Sequence, residues 1–291
     1  MKTIFILMLF TILAAPSTVF PQNANPGNFV RLHGIITDRE TKQPIGYASI
    51  GILNKPVGTV SDSLGHFELA VDNQYPGDTL QVSIVGYYAV KRTLKELMNI
   101  NGPIAINLAK KMTRLNEVVV TNPLQHTVIV GRQSTGSFLQ ASIVPKGDKA
   151  PIIGAESGLK IHIDHYPARL ENLNFYISRN NFKYVRFRVN MYAIKHNLPD
   201  TLLFNKEILV SLNNYKTGWT QIDLAPYHLV INDDCAVTLQ WVDYNKDMVA
   251  APLILIPASP SFSHINYYRL AGQDKWKSIR GNVSFYVTLE D

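Results

Sequence analysis

Lys183-Tyr184-Val185-Arg186-Phe187-Arg188-Val189-Asn190-Met191-Tyr192 alternates apolar and polar side chains almost without a break. Successive side chains of a strand point to opposite faces, so this run reads as a half-buried β-strand. Val185, Phe187, Val189 and Met191 form its core face. Tyr184, Arg186, Arg188, Asn190 and Tyr192 form the other face, which is expected to look into solvent. Arginine beside tyrosine can stack on a sugar ring or grip a carboxylate. Tyr184, Arg186, Arg188, Tyr192 and Trp219 are therefore the candidate ligand-binding residues, with Trp241 and Trp276 as further candidates for an aromatic platform. The plainer alternative is that the arginines only solvate an outer face and the tryptophans are core.

Around this strand lie further short runs of the same kind, at 157–164, 169–177, 207–211, 220–225, 236–243, 253–256 and 283–289, most of them punctuated by Pro, Gly, Asn or Asp. Many short strands with such turns predict a sandwich or jelly roll. The pattern of Arg186-Phe187-Arg188-x-x-x-Tyr192, Gly218-Trp219 and Asp223-Leu224 is similar to that of jelly-roll carbohydrate-binding modules.

The same periodicity starts earlier, at Val30. Val30, Leu32, Gly34 and Ile36 alternate, Asp38 to Pro44 makes a polar turn, and Ala48-x-Ile50-x-Ile52 resumes the alternation. Gly58 and Gly65 suit turn positions, and Phe67 and Leu69 point together into a core. Val82-Ser83-x-x-Gly86-Tyr87 and Ile104-x-Ile106-x-Leu108 complete the unit. Leu32-x-Gly34-x-Ile36-x-Asp38, Thr41-x-x-Pro44-Ile45, Ala48-x-Ile50, Gly58-Thr59-x-Ser61-Asp62-x-x-Gly65-x-Phe67 and Val82-Ser83-x-x-Gly86-Tyr87 together resemble the carboxypeptidase-regulatory-like domain. That resemblance implies a transthyretin-like sandwich of seven strands without catalytic residues. It also implies a Bacteroidetes-type envelope protein, in which the module often precedes outer-membrane receptors. Asp38 and Asp62 read as caps of Asx turns.

The expected organisation is a signal peptide at 1–22, the first sandwich at 29–110, a linker at 111–124 and a jelly-roll-like sandwich at 125–291, so the fold class is all-β. Lys2 followed by the apolar run Ile4 to Leu13 and then Ala14-Ala15 reads as an export signal, with cleavage expected after Ser17 or Gln22. No cysteine lies near either site for a lipid anchor. The longest later apolar stretch, 250–260, is interrupted by Pro252 and Pro257, so no transmembrane segment is expected after cleavage. Leu115-Asn116-Glu117-Val118-Val119-Val120-Thr121 resembles the TonB-contact box at the plug junction of receptors carrying this module. An ordinary linker strand paired within the protein is the alternative. The remaining residues are too few for a plug and a 22-stranded barrel.

The net charge of +6 is spread without a basic run, which argues against nucleic acid. One cysteine, Cys235, allows no intrachain disulfide and precedes an apolar run, so it is expected to be buried. His162-x-Asp164-His165 is the nearest approach to a metal motif, but only His162 and Asp164 share a strand face, and two ligands are too few. Asn232-Asp233-Asp234 reads as a turn. No H-E-x-x-H, G-x-S-x-G or P-loop is present. The expectation is a non-enzymatic protein needing no metal or cofactor, periplasmic or outer-membrane-associated. It would act as a binding or assembly module for an envelope protein or a glycan. The alternatives are a glycan-binding accessory protein and, last, a glycan hydrolase.

Overall fold

The computed structural model describes residues 29–111, 126–144, 153–247 and 252–291. The signal segment and most of the linker, including the 115–121 run, lie outside the described residues.

The first sandwich has two sheets. In one, Phe29–Asp38 lies between His66–Asp72, antiparallel, and Ile104–Leu108, parallel. In the other, the order is Gly58–Val60, Ser49–Ile52, Thr79–Ser83 and Val90–Thr93, all antiparallel. That makes seven strands in two layers. Leu32, Ile36, Phe67, Leu69 and Ile106 from one layer meet Ile50, Ile52, Leu80 and Val82 from the other. A short helix, Leu94–Met98, adds Leu94 and Leu97 to this core, and its N-terminus carries a capping box between Thr93 and Glu96.

Two glycines of the sequence motif have steric reasons. A Cβ on Gly34 would stand 2.0 Å from the Ile104 carbonyl oxygen of the parallel neighbour. Gly65 turns at φ +79°, a left-handed conformation, with its missing Cβ position 2.5 Å from the Ile36 carbonyl oxygen. Asp38 and Asp62 cap turns as expected. Asp38 Oδ1 accepts from the amides of Glu40 and Thr41, and Asp62 Oδ1 accepts from those of Leu64 and His66.

Among the described residues the second sandwich shares no sheet with the first. Its larger sheet has Tyr184–Lys195 paired along one side with Cys235–Tyr244 and along the other with Leu198–Leu202 and Ile208–Asn213. Glu156–Ile161, Ile265–Arg269 and Lys277–Arg280 continue it outward from Cys235–Tyr244. The facing sheet is built on Ala168–Ile177. It pairs with Gly218–Asp223 and Val230–Ile231 on one edge and Phe285–Glu290 on the other, and Thr127–Gly131 follows. A small sheet around Ile254–Ser259 joins Leu139–Ser142, Arg179–Asn180 and Asn282–Val283. Val185, Phe187, Val189, Met191, Val237, Leu239 and Trp241 pack against Leu170, Leu173, Phe175, Ile177, Val287 and Leu289. The described residues are thus all-β, in sandwich layers, as the alternation predicts. Cys235 is a free, buried thiol within this core.

Candidate functional site

The polar face of Tyr184–Lys195 is where sequence places the ligand site, and there the structure departs from expectation. Arg188 is 2% exposed and does not face solvent. The first sandwich lies on it. The Nη2 of Arg188 donates to the Tyr47 carbonyl oxygen at 2.7 Å and to Glu207 Oε1 at 2.7 Å, and its Nη1 donates to Gln240 Oε1 at 3.1 Å. Arg186 is half-buried. It donates to the Tyr47 hydroxyl and stacks between the rings of Tyr47 and Tyr184, at 5.2 and 5.5 Å. Tyr184 is half-buried too, its hydroxyl 3.4 Å from Asp243 Oδ2.

More polar ties join the two sandwiches. Gln240 Nε2 donates to Ser49 Oγ at 3.0 Å. Gln273 Nε2 donates to Ser83 Oγ at 2.7 Å, its Oε1 accepts from Gln81 Nε2 at 2.6 Å, and its carbonyl accepts from the Asn54 amide at 2.9 Å. The two sandwiches approach closely here: a Cβ on Gly272 would lie 2.8 Å from Ser49 Cβ. Hydrogen bonds from a charged donor contribute more than neutral ones, so Arg186 and Arg188 are the strongest of these ties.

Tyr192, further along the same face, is also buried. It belongs to a cluster around Glu156, whose side chain is fully enclosed. Glu156 accepts from Asn190 Nδ2 at 2.8 Å, Thr238 Oγ1, Tyr192 Oη at 3.3 Å, and Arg269 Nε at 3.0 Å. Trp276 lies 4.5 Å from the Arg269 guanidinium and edge-on to Tyr192. Burial, and next the Glu156 charge, push the Tyr192 hydroxyl upward from its ordinary range. A buried carboxylate so fully hydrogen-bonded is held as part of the packing. Trp241 is core, in the hydrophobic cluster, with Phe182 edge-on to it.

Trp219 sits on the other sheet and does not meet the four residues above. It pairs with Tyr176 across Gly218–Asp223 and Ala168–Ile177. Its ring is edge-on to Tyr176 at 5.4 Å and to Tyr286 at 5.2 Å. Cross-strand register puts Asn172, Asn174, Gln221, Asp223 and Thr288 on the same outer face. All three aromatic rings are half-buried, Gln221 and Asp223 are exposed, and Asn174 Nδ2 donates to Asn172 Oδ1. Sequence reading missed Tyr176 and Tyr286. The signal was available: both alternate with core residues as Tyr184 and Arg186 do, but only the pairing register brings them to Trp219.

The histidine cluster is split. His162 Nδ1 is 2.7 Å from Asp234 Oδ1, not on Asp164, and His165 Nδ1 is 3.8 Å from Asp291 Oδ2. His162, Asp164, His165, His264 and Asp291 line a groove of about 360 Å³, yet among the described residues no three such side chains converge as a metal site would require. Burial tends to raise the Asp234 carboxyl, but hydrogen bonds from Lys160, His162 and Tyr166 outweigh it and hold it at about 2. Among the described residues no helix is long and apolar enough to cross a membrane.

Among solved structures, the chain has faint likenesses. One is to a clostridial cysteine protease, Cwp84, after propeptide cleavage, at TM-score 0.40 and 8% identity, covering 56% of this chain and 40% of that one. Another is to the cysteine protease and lectin-like domains of Cwp84, a surface layer associated protein of Clostridium difficile, at TM-score 0.39 and 8% identity, covering 80% and 45%. The chain spans less than half the length of either, and likenesses of this size say nothing about activity. No curated protein matches the sequence. Residues 32–120 match the family model of the CarboxypepD_reg-like domain, over the same strands, turn glycines and capping aspartates described above. The first sandwich is a carboxypeptidase-regulatory-like domain.

Proposed function

We propose that this chain is a non-catalytic, exported module of the cell envelope that holds a glycan on the outer face of its second sandwich. The first sandwich serves as a fixed mount. The observation that carries the reading is Trp219 set edge-to-face between Tyr176 and Tyr286, beside Asn172, Gln221 and Asp223. Rings stiffened by mutual contact offer flat apolar area at little entropic cost, and amides and carboxylates supply hydrogen bonds to hydroxyl groups. The polar ties from Arg188, Gln240 and Gln273 to the first sandwich support a mount that does not swing. Export rests on the charged, then apolar, then small-residue order at the N-terminus.

The test is a glycan array probed with the mature protein and with Trp219→Ala. Capture by a defined set of glycans, with at least a tenfold loss in the variant, is expected. No capture by the folded protein, or equal capture by the variant, overturns the reading.

A further inference from the structure

The first sandwich carries a feature with a different chemistry. Its two sheets are joined at one corner, where Tyr87 bridges Lys110 and the Tyr88 amide donates to the Ala109 carbonyl oxygen at 2.9 Å. From that corner two edge strands diverge, Val90–Thr93 of one sheet and Ile104–Leu108 of the other. Each has one strand neighbour among the described residues. Between them lies a groove of about 570 Å³ whose lining includes Arg39, Lys42, Lys91, Arg92, Ala105, Ile106 and Asn107. Four of its lining side chains are cations and none is a carboxylate.

The backbone of Ile104–Leu108 is polarised toward this groove. The Arg39 amide donates to the Leu108 carbonyl oxygen at 2.8 Å, and the parallel register places Ile104, Ile106 and Leu108 opposite Gly34, Ile36 and Asp38. In a parallel ladder alternate residues bond to alternate sides. The N–H and C=O groups of Ala105 and Asn107 are therefore the ones aimed at the open edge. An unpaired edge is a template for another strand. Cations beside it repel a second copy of this chain, whose matching edge is equally basic, and favour a strand carrying negative side chains.

We propose that this groove binds an extended acidic segment of a partner protein, added as a strand alongside Ile104–Leu108. The Ala105 and Asn107 backbone supplies the ladder, and Arg39, Lys42, Lys91 and Arg92 pair with Asp or Glu side chains of the segment. This site is separate from the Trp219 face and stands or falls independently of the glycan reading.

The test uses the full mature chain and a fluorescein-labelled decapeptide of alternating Glu and Val. Controls are the Lys-Val counterpart, the Glu-Val peptide N-methylated at alternate residues, and an alginate hexamer. Expected are binding of the Glu-Val peptide by anisotropy and at least tenfold weaker binding of the Lys-Val and N-methylated peptides. Also expected is at least tenfold slower amide exchange at Ala105 and Asn107 in the complex. The charge-reversed Lys91→Glu, Arg92→Glu variant, altered only at exposed side chains, should bind at least tenfold more weakly. No peptide binding at low salt overturns the proposal. So does equal binding of the N-methylated peptide, or binding of the alginate hexamer in its place.

Discussion

The Nη2 of Arg188, from the middle of the second sandwich, donates to the carbonyl oxygen of Tyr47 in the first at 2.7 Å. Tyr47 adopts φ 59°, a left-handed conformation that bulky residues rarely take. Its carbonyl and its hydroxyl are both claimed, by Arg188 and Arg186. Two residues 141 positions apart thus fix how one sandwich sits on the other.

Arg188→Ala removes three hydrogen-bonded contacts at once and leaves the Tyr47 carbonyl and Gln240 Oε1 short of a donor. A loss of about 3 kcal/mol in unfolding free energy is expected. Arg188→Lys should recover little of it, because a single ammonium cannot replace the planar fork. Urea titration checks both. A split of one transition into two in the alanine variant would report uncoupled sandwiches.

Gly34→Ala should be costly despite its single added carbon. Its Cβ would meet the Ile104 carbonyl oxygen at 2.0 Å, so the parallel pairing of Phe29–Asp38 with Ile104–Leu108 has to shift. Overpacking of this kind costs about 2 kcal/mol. Thermal unfolding should show a lower midpoint, and faster amide exchange at 104–108.

Asp234 makes part of the fold's stability depend on acid. Its carboxyl is held at about 2, below the ordinary aspartate range, by Lys160, His162 and Tyr166 acting against the opposing effect of burial. A depressed carboxyl contributes stability that is present above its unfolded value and is lost as pH falls through the folded one. Asp234→Asn should therefore be less stable than the parent by about 1 kcal/mol near pH 6, after allowance for partial solvent screening. The difference should shrink between pH 4 and 2. Urea titrations at pH 6, 4 and 2.5 check this.

Cys235 should be inert while the protein is folded. Burial, and next the charges of Asp234 and Asp233, push its thiol up to about 12 from 9.0. The thiolate is the reactive form, so a thiol reagent at pH 8 should label the native protein at least a hundredfold more slowly than the urea-unfolded chain. By the same linkage, its contribution to stability is constant below pH 9 and declines as pH rises toward 12.

Alternation alone identified the strand at Tyr184 and the core positions Val185, Phe187, Val189 and Met191, and it located the neighbouring strands within a few residues. It missed Leu139–Ser142, Leu198–Leu202 and Lys277–Arg280, where polar or proline-containing runs are strands because a partner's edge is available. Tertiary context decides such segments more than their own composition does.

Local rules also account for the motif of the first sandwich. The capping of turns by Asp38 and Asp62 depends on residues a few positions away, so the sequence by itself determined it, along with the all-β class. What covers each face depends on contacts between residues far apart in the chain. Arg188 alternates as an outer residue does, and it is outer with respect to its own sandwich. Tyr47 of the first sandwich meets it there, and only the pairing of Ala168–Ile177 with two other strands gathers Trp219, Tyr176 and Tyr286 on one surface. A period of two specifies that a side chain points to one of two faces; whether water or another sheet waits there was decided by the tertiary structure.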